Sequence, residues 1–167
     1  LLCSQDYKLT FFGVKIGEIA INHPDDNSVS IRATSSGVMD YLWPFDNQYS
    51  AVFDSVSFGF LNLKKKINQT GLTQNLEGNW TNKQGGVLYR DVFIKREKSC
   101  QTIFSILHRA SKEPPKLLDT KWFQLEHEGA LFMARMVLAD SLNISGIKDS
   151  VFCYHYRLDI KSTEQKP

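Results

Sequence analysis

The residues able to do acid–base or metal chemistry are scattered. The four histidines are His23, His108, His127 and His155, and no pair shows a metal-ligand spacing such as His-x-x-x-His. A metal centre needs three or four converging ligands. Glu126, His127 and Glu128 are consecutive, so on a strand or turn they point alternately to opposite sides. No Cys-x-x-Cys and no Cys/His pair at zinc-finger spacing occurs, so neither a metal nor any other cofactor is expected. For nucleophilic catalysis there is no Gly-x-Ser-x-Gly elbow. Ser105 and His108 lie three apart on a helical segment and share a face, but no third orienting group or oxyanion donor accompanies them. The carboxylates, among them Asp40, Asp46, Asp54, Asp91, Asp119, Glu126 and Glu128, form no recognisable pair. Gly85-Gly86 reads as a hairpin turn rather than a phosphate loop. The expectation is a protein that is not an enzyme, with no catalytic residue. A hydrolase of envelope polymers, built on Ser105 and His108, is the least favoured alternative.

The binding residues are more informative. Lys64-Lys65-Lys66 and Lys95-Arg96-Glu97-Lys98 are basic runs suited to anionic head groups or polysaccharide, or simply to solvent. They lack the interleaved aromatics that stack on nucleic-acid bases, so no nucleic-acid partner is expected. Aromatic residues make up 12% of the chain, a mild excess that favours β structure. Tyr41, Trp43, Phe45, Trp80 and Trp122 are the ligand-binding candidates, with Leu42 and Phe123 beside two of them. Such rings either fill a core or line an apolar pocket for an acyl chain or a partner's apolar segment.

At 167 residues the chain fits a single β-rich domain over residues 1–167. No apolar run approaches the ~18 residues of a membrane-spanning helix. Period-two alternation marks strands over residues 7–11, 16–21, 29–33, 49–54, 56–63, 72–77 and 87–95. Further strands are expected over 120–125, 130–139 and 150–160. In this reading the three lysines end the strand over 56–63, where like charges discourage edge pairing. Residues 38–45 read as a short helical turn or edge segment stopped at Pro44. Ile103, Ile106, Leu107 and Ala110 fall at i, i+3, i+4 and i+7, the one convincing helical stripe. Ser99 or Thr102 is its expected cap, and Pro114-Pro115 its stop. About ten strands with short connections require an antiparallel sheet. So many strands tend to curl, so the expected fold is mainly β: a single antiparallel, strongly curved sheet, a β-roll or open barrel, with one short helix.

The first residues, Leu-Leu-Cys-Ser-Gln, read either as a signal-peptide remnant over residues 1–5 or as an arbitrary boundary. Lipid anchoring at Cys3 is disfavoured by Leu2, because the residue before a lipoprotein cysteine is normally small. Cys100 and Cys153 either form a disulfide, in an oxidising compartment, or remain two buried thiols. Residues 161–167 read as a frayed polar tail.

Tyr7-x-Leu9-x-Phe11-Phe12-Gly13-Val14-x-Ile16-Gly17-Glu18-Ile19 resembles the start of an exported bacterial family of unknown function. Arg32-Ala33-Thr34-Ser35-Ser36-Gly37 is similar to that family's third strand. Ile103-Phe104-Ser105-Ile106-Leu107-His108-Arg109 is similar to its helix. The resemblance implies a YmcC-like antiparallel β-roll, loosely similar to the periplasmic lipoprotein carriers, and a periplasmic or exported location. It implies no activity and no catalytic residues. The family's closing Trp-containing strand has no counterpart after Val151. The resulting expectation is a non-catalytic, exported cell-envelope protein that binds an apolar ligand such as lipid. A protein–protein interaction or scaffold module binding an envelope protein is the alternative.

Overall fold

The computed structural model describes residues 4–119, 121–145 and 150–163. The chain divides into two compact units, Leu1–Ser99 and Cys100–Pro167.

The first unit is one antiparallel sheet of eight strands in sequence order. They are β1 (Ser4–Phe11), β2 (Val14–Asn22), β3 (Ser28–Ser35), β4 (Asp46–Phe53), β5 (Phe60–Gln69), β6 (Leu72–Thr81), β7 (Gly86–Tyr89) and β8 (Val92–Lys95). A short helix, α1 (Val38–Leu42), joins β3 to β4. The register separates the two faces. Ser30, Ser50, Lys64 and Glu77 lie opposite one another across β3 to β6, as do Arg32, Gln48, Lys66 and Asn75. Paired residues share a face, so this face is polar. The intervening positions, including Val29, Ala51, Leu63 and Ile67, carry the buried apolar side chains.

The second unit begins with a single-residue bridge. The Gln101 N–H donates to the Gln124 carbonyl at 2.9 Å, and the Glu126 N–H to the Gln101 carbonyl at 2.7 Å. Helix α2 (Ile103–Lys112) and the four-residue α3 (Pro115–Leu118) follow, then β9 (Trp122–His127), β10 (Ala130–Ser145) and β11 (Ser150–Ser162). These strands form a three-stranded antiparallel sheet with β10 in the centre. Ile106 and Leu118 pack on Leu125, Ala134 and Met136 to form the core of this unit. Thr102 caps α2 through a reciprocal box with Ser105.

The mainly β, antiparallel expectation holds, and several of its details change. Among the described residues there are two sheets rather than one, and neither is strongly curled or closed. The ladder stops at β8 because the next regular elements are the helices α2 and α3, which do not extend it. Among the described residues three short helices replace the single one expected; α1 lies where a helical turn is anticipated, and α3 begins at Pro115, a residue suited to a first helical turn. The three lysines do not end a strand. They lie in the middle of β5, which runs on to Gln69, because alternation puts Lys65 on the face opposite Lys64 and Lys66. The strand expected over 87–95 is a hairpin instead. Arg90 turns the chain with φ of 50°, a left-handed conformation in a residue that gives no Gly or Asn signal. On α2, Leu107 is 53% exposed whereas His108 is buried, so the helix turns its Ser105–Ile106–His108 side inward.

Cys100 and Cys153 are thiols and form no disulfide with each other. Cys3 lies outside the described residues, whereas Ser4 and Gln5 open β1. Of the tail, Lys161 and Ser162 belong to β11, and residues 164–167 lie outside the described residues.

Candidate functional site

Antiparallel strands send alternate connections to opposite ends of a sheet. Three of them, the β1–β2 turn, the α1 segment and the β5–β6 turn, meet at one end of the first unit. The Ser36 N–H donates to the Ile16 carbonyl at 3.1 Å, fixing the start of α1 beside β2. The Thr70 N–H donates to the Pro44 carbonyl at 3.2 Å, and Phe45 bridges Gln69, fixing the end of that segment beside the β5–β6 turn.

These three connections carry Phe11, Phe12 and Val14; Val38, Tyr41, Leu42 and Trp43; and Leu72. All eight are exposed, Phe12 and Tyr41 at 91% each. The opposite end carries polar turns, such as the one through Asp25 and Asp26, with Val56 its exposed large apolar side chain.

The β1–β2 turn shows how strongly its geometry is imposed. Phe12 and Gly13 have φ of 48° and 78°, the two left-handed positions of a two-residue hairpin. Asn, Asp or Gly normally takes the first position, because a Cβ there is crowded. A phenylalanine holds it here, edge-on to Phe11 with ring centroids 4.5 Å apart. Phe45 is the anchor beneath this end. Its ring lies over Gly17, where an added Cβ would come 3.2 Å from the ring and 2.7 Å from the Thr34 carbonyl oxygen.

The charges just behind this end are largely paired. Lys15 binds Glu18 and holds its carboxyl below the usual range through that hydrogen bond. Arg32 grips Asp46 with two hydrogen bonds of 2.9 and 2.8 Å, which likewise hold the Asp46 carboxyl down. The Ser35 hydroxyl donates to Asp40 at 2.5 Å.

Of the five aromatic candidates, Tyr41, Trp43 and Phe45 come together here, the first two exposed and the third half-buried. Trp80 lies toward the opposite end of β6, half-buried, its indole N–H donating to Asn82 at 2.9 Å. Trp122 belongs to the other unit. There the Arg135 guanidinium lies over its ring, 4.8 Å from the ring centroid, as does the Lys161 ammonium, 4.1 Å from it. Phe11, Phe12, Val14, Val38 and Leu72 escape a search for aromatic clusters in sequence. The one signal for them is Phe-Gly standing where a hairpin calls for Asn-Gly.

Ser105 and His108 are both buried. The Ser105 hydroxyl accepts the Thr102 N–H at 3.0 Å and donates to the Thr102 carbonyl at 3.1 Å. Its proton is therefore committed to the helix cap. Glu126 is also buried and accepts the Gly129 N–H, closing the β9–β10 turn.

No helix among the described residues is long and apolar enough to cross a membrane. Comparison with known proteins finds no matching family model, curated relative or solved structure.

Proposed function

We propose that this is a non-catalytic, exported cell-envelope protein that engages lipid through the aromatic end of its eight-stranded sheet. The observation that carries this reading is the gathering of eight exposed large apolar side chains on three neighbouring connections at that end. Soluble monomers seldom expose contiguous apolar surface beyond a few hundred square ångströms unless it binds something. Phe, Tyr and Trp at turn tips suit the boundary between head groups and acyl chains, where one part of the side chain is dry and another wet. The paired charges behind the tips leave a nearly neutral rim, so binding rests on apolar contact and depends little on salt.

Sedimentation of the full chain with phosphatidylcholine vesicles tests this. The chain is expected to pellet with the vesicles at low and high salt, and a Phe12→Ser/Trp43→Ser variant to stay in solution. A wild-type chain that remains in solution at saturating lipid would overturn the lipid reading. The interaction-module reading draws on the same patch and on β11, an edge strand of 13 residues open to strand addition. Co-sedimentation with vesicles only when they carry an envelope protein would favour it.

A further inference from the structure

Lipid engagement leaves the lysine run of β5 unused. Alternation aims Lys64 and Lys66 at the polar face of the sheet, and the β7–β8 turn brings Arg90 beside them. There they border a depression of about 540 Å³. Its remaining walls include Gln48 and Ser50 from β4 and Asn75 from β6, hydroxyl and amide groups that donate and accept hydrogen bonds. Tyr49, Lys65 and Leu76 also line it, but from positions whose side chains alternate to the opposite face.

The charge balance is one-sided. Glu77 is the one carboxylate among the lining residues, and it lies 3.5 Å from Lys64. Asp46, the nearby acid whose charge Lys66 also stabilises, is already gripped by Arg32. Arg90 donates to the Asn75 carbonyl at 2.8 Å, which holds its guanidinium at the rim without neutralising it. Lys66 and Arg90 therefore bring cationic charge into a concave site walled by hydroxyl and amide groups.

We propose that this depression binds an acidic oligosaccharide, a short sugar chain bearing carboxylate or phosphate groups. The cations suit the acid groups, and the amide and hydroxyl walls suit the sugar hydroxyls. A nucleic acid fits less well: the register places the exposed Phe93 of β8 on this face, but it is not among the residues lining the depression, so it offers no stacking platform beside the cations. The inference is independent of lipid binding, which uses the end of the sheet rather than its face.

Calorimetric titration of the full chain tests it, with four probes: a galacturonate trimer, a phosphorylated disaccharide, neutral maltotriose and a short DNA duplex. The galacturonate trimer, the phosphorylated disaccharide or both are expected to bind, more weakly as salt rises, and maltotriose is not. Which of the two acidic sugars binds identifies the acid group. Lys66→Gln and Arg90→Gln should each weaken binding roughly tenfold, the loss of one charge-assisted hydrogen bond. Glu77→Gln should tighten it by removing the competing carboxylate. All three positions are exposed, so the variants should fold. Equal binding of maltotriose, unchanged affinity in the Lys66 and Arg90 variants, or equally tight binding of the duplex with the same losses would overturn the proposal.

Discussion

Replacing Phe12 by Asn separates stability from binding at the aromatic end. Phe12 adopts φ of 48° and is 91% exposed, so it occupies a crowded backbone conformation and buries almost nothing. A left-handed conformation costs an ordinary L-residue about 1–2 kcal/mol, and Asn relieves much of this through its local hydrogen bonding. Against that gain stands the edge-on pairing with Phe11, an exposed aromatic contact worth about 0.5 kcal/mol, the low end of the usual range. Relief wins, and Phe12→Asn should stabilise the first unit by about 0.5–1 kcal/mol, raising its melting temperature by a few degrees. Vesicle affinity should move the other way. Burying a Phe side chain contributes about 1.5–3 kcal/mol, so losing even half of that weakens binding several-fold to tenfold. Thermal unfolding followed by circular dichroism, with vesicle sedimentation on the same preparations, reads both quantities. A variant less stable than the parent would refute the strain argument. One that binds vesicles as tightly would refute the assignment of this turn to the binding surface.

Two further perturbations test how the fold is held. Gly17→Ala places a methyl group 2.7 Å from the Thr34 carbonyl and against the Phe45 ring, so it should cost about 1–3 kcal/mol, read by urea denaturation. In the second unit, Asp159 accepts hydrogen bonds from Arg157 and Arg135, which hold its carboxyl below the usual range. Its folded-state pKa is depressed, so its stabilisation is complete above the unfolded value of about 4 and is lost as pH falls through the folded value. Asp159→Asn should therefore unfold at lower urea than the parent near neutral pH. The two midpoints should converge in strong acid, and a gap that persists there would refute the assignment.

The antiparallel, mainly β character is legible because alternation repeats along nearly every strand and connections are short. Legibility fails where local signals and tertiary pairing disagree. The lysine run looks like a strand terminus by charge, yet Lys64 and Lys66 face solvent with Glu77 within reach, so pairing with β4 and β6 carries β5 onward. The β7–β8 turn is hidden because Arg90, rather than a Gly, Asn or Asp, takes its left-handed position and Asp91 is its sole turn residue between two apolar runs, so the paired strands compel the turn. The division into two sheets is hidden too. A count of strands does not reveal that α2 and α3 interrupt the ladder.

The candidate site was partly legible for a related reason. Tyr41, Trp43 and Phe45 are close in sequence and stay close in space, so composition alone finds them. Trp80 and Trp122 are equally aromatic, yet one sits toward the other end of β6 and the other in a separate unit. What assembles the aromatic end is strand parity. The first, third and fifth connections of the antiparallel ladder return to the same end, which brings the turns at Phe12 and Gly71 to the segment at Tyr41, whereas the seventh, at Arg90, stops midway because β7 has four residues. The same parity, applied across a strand rather than between strands, sets Lys64 and Lys66 on one face and leaves the apolar side chains on the other. Inserting one uncharged residue between Lys65 and Lys66 of β5 would therefore do more than disturb packing. It would turn every later side chain of that strand to the opposite face, carrying Lys66 out of the depression while leaving the tips at Phe12 and Tyr41 in place. Such a variant should lose acidic-sugar binding and keep vesicle binding, provided the sheet still forms. Loss of both activities in a folded variant would show that the end and the face of the sheet act as a single site.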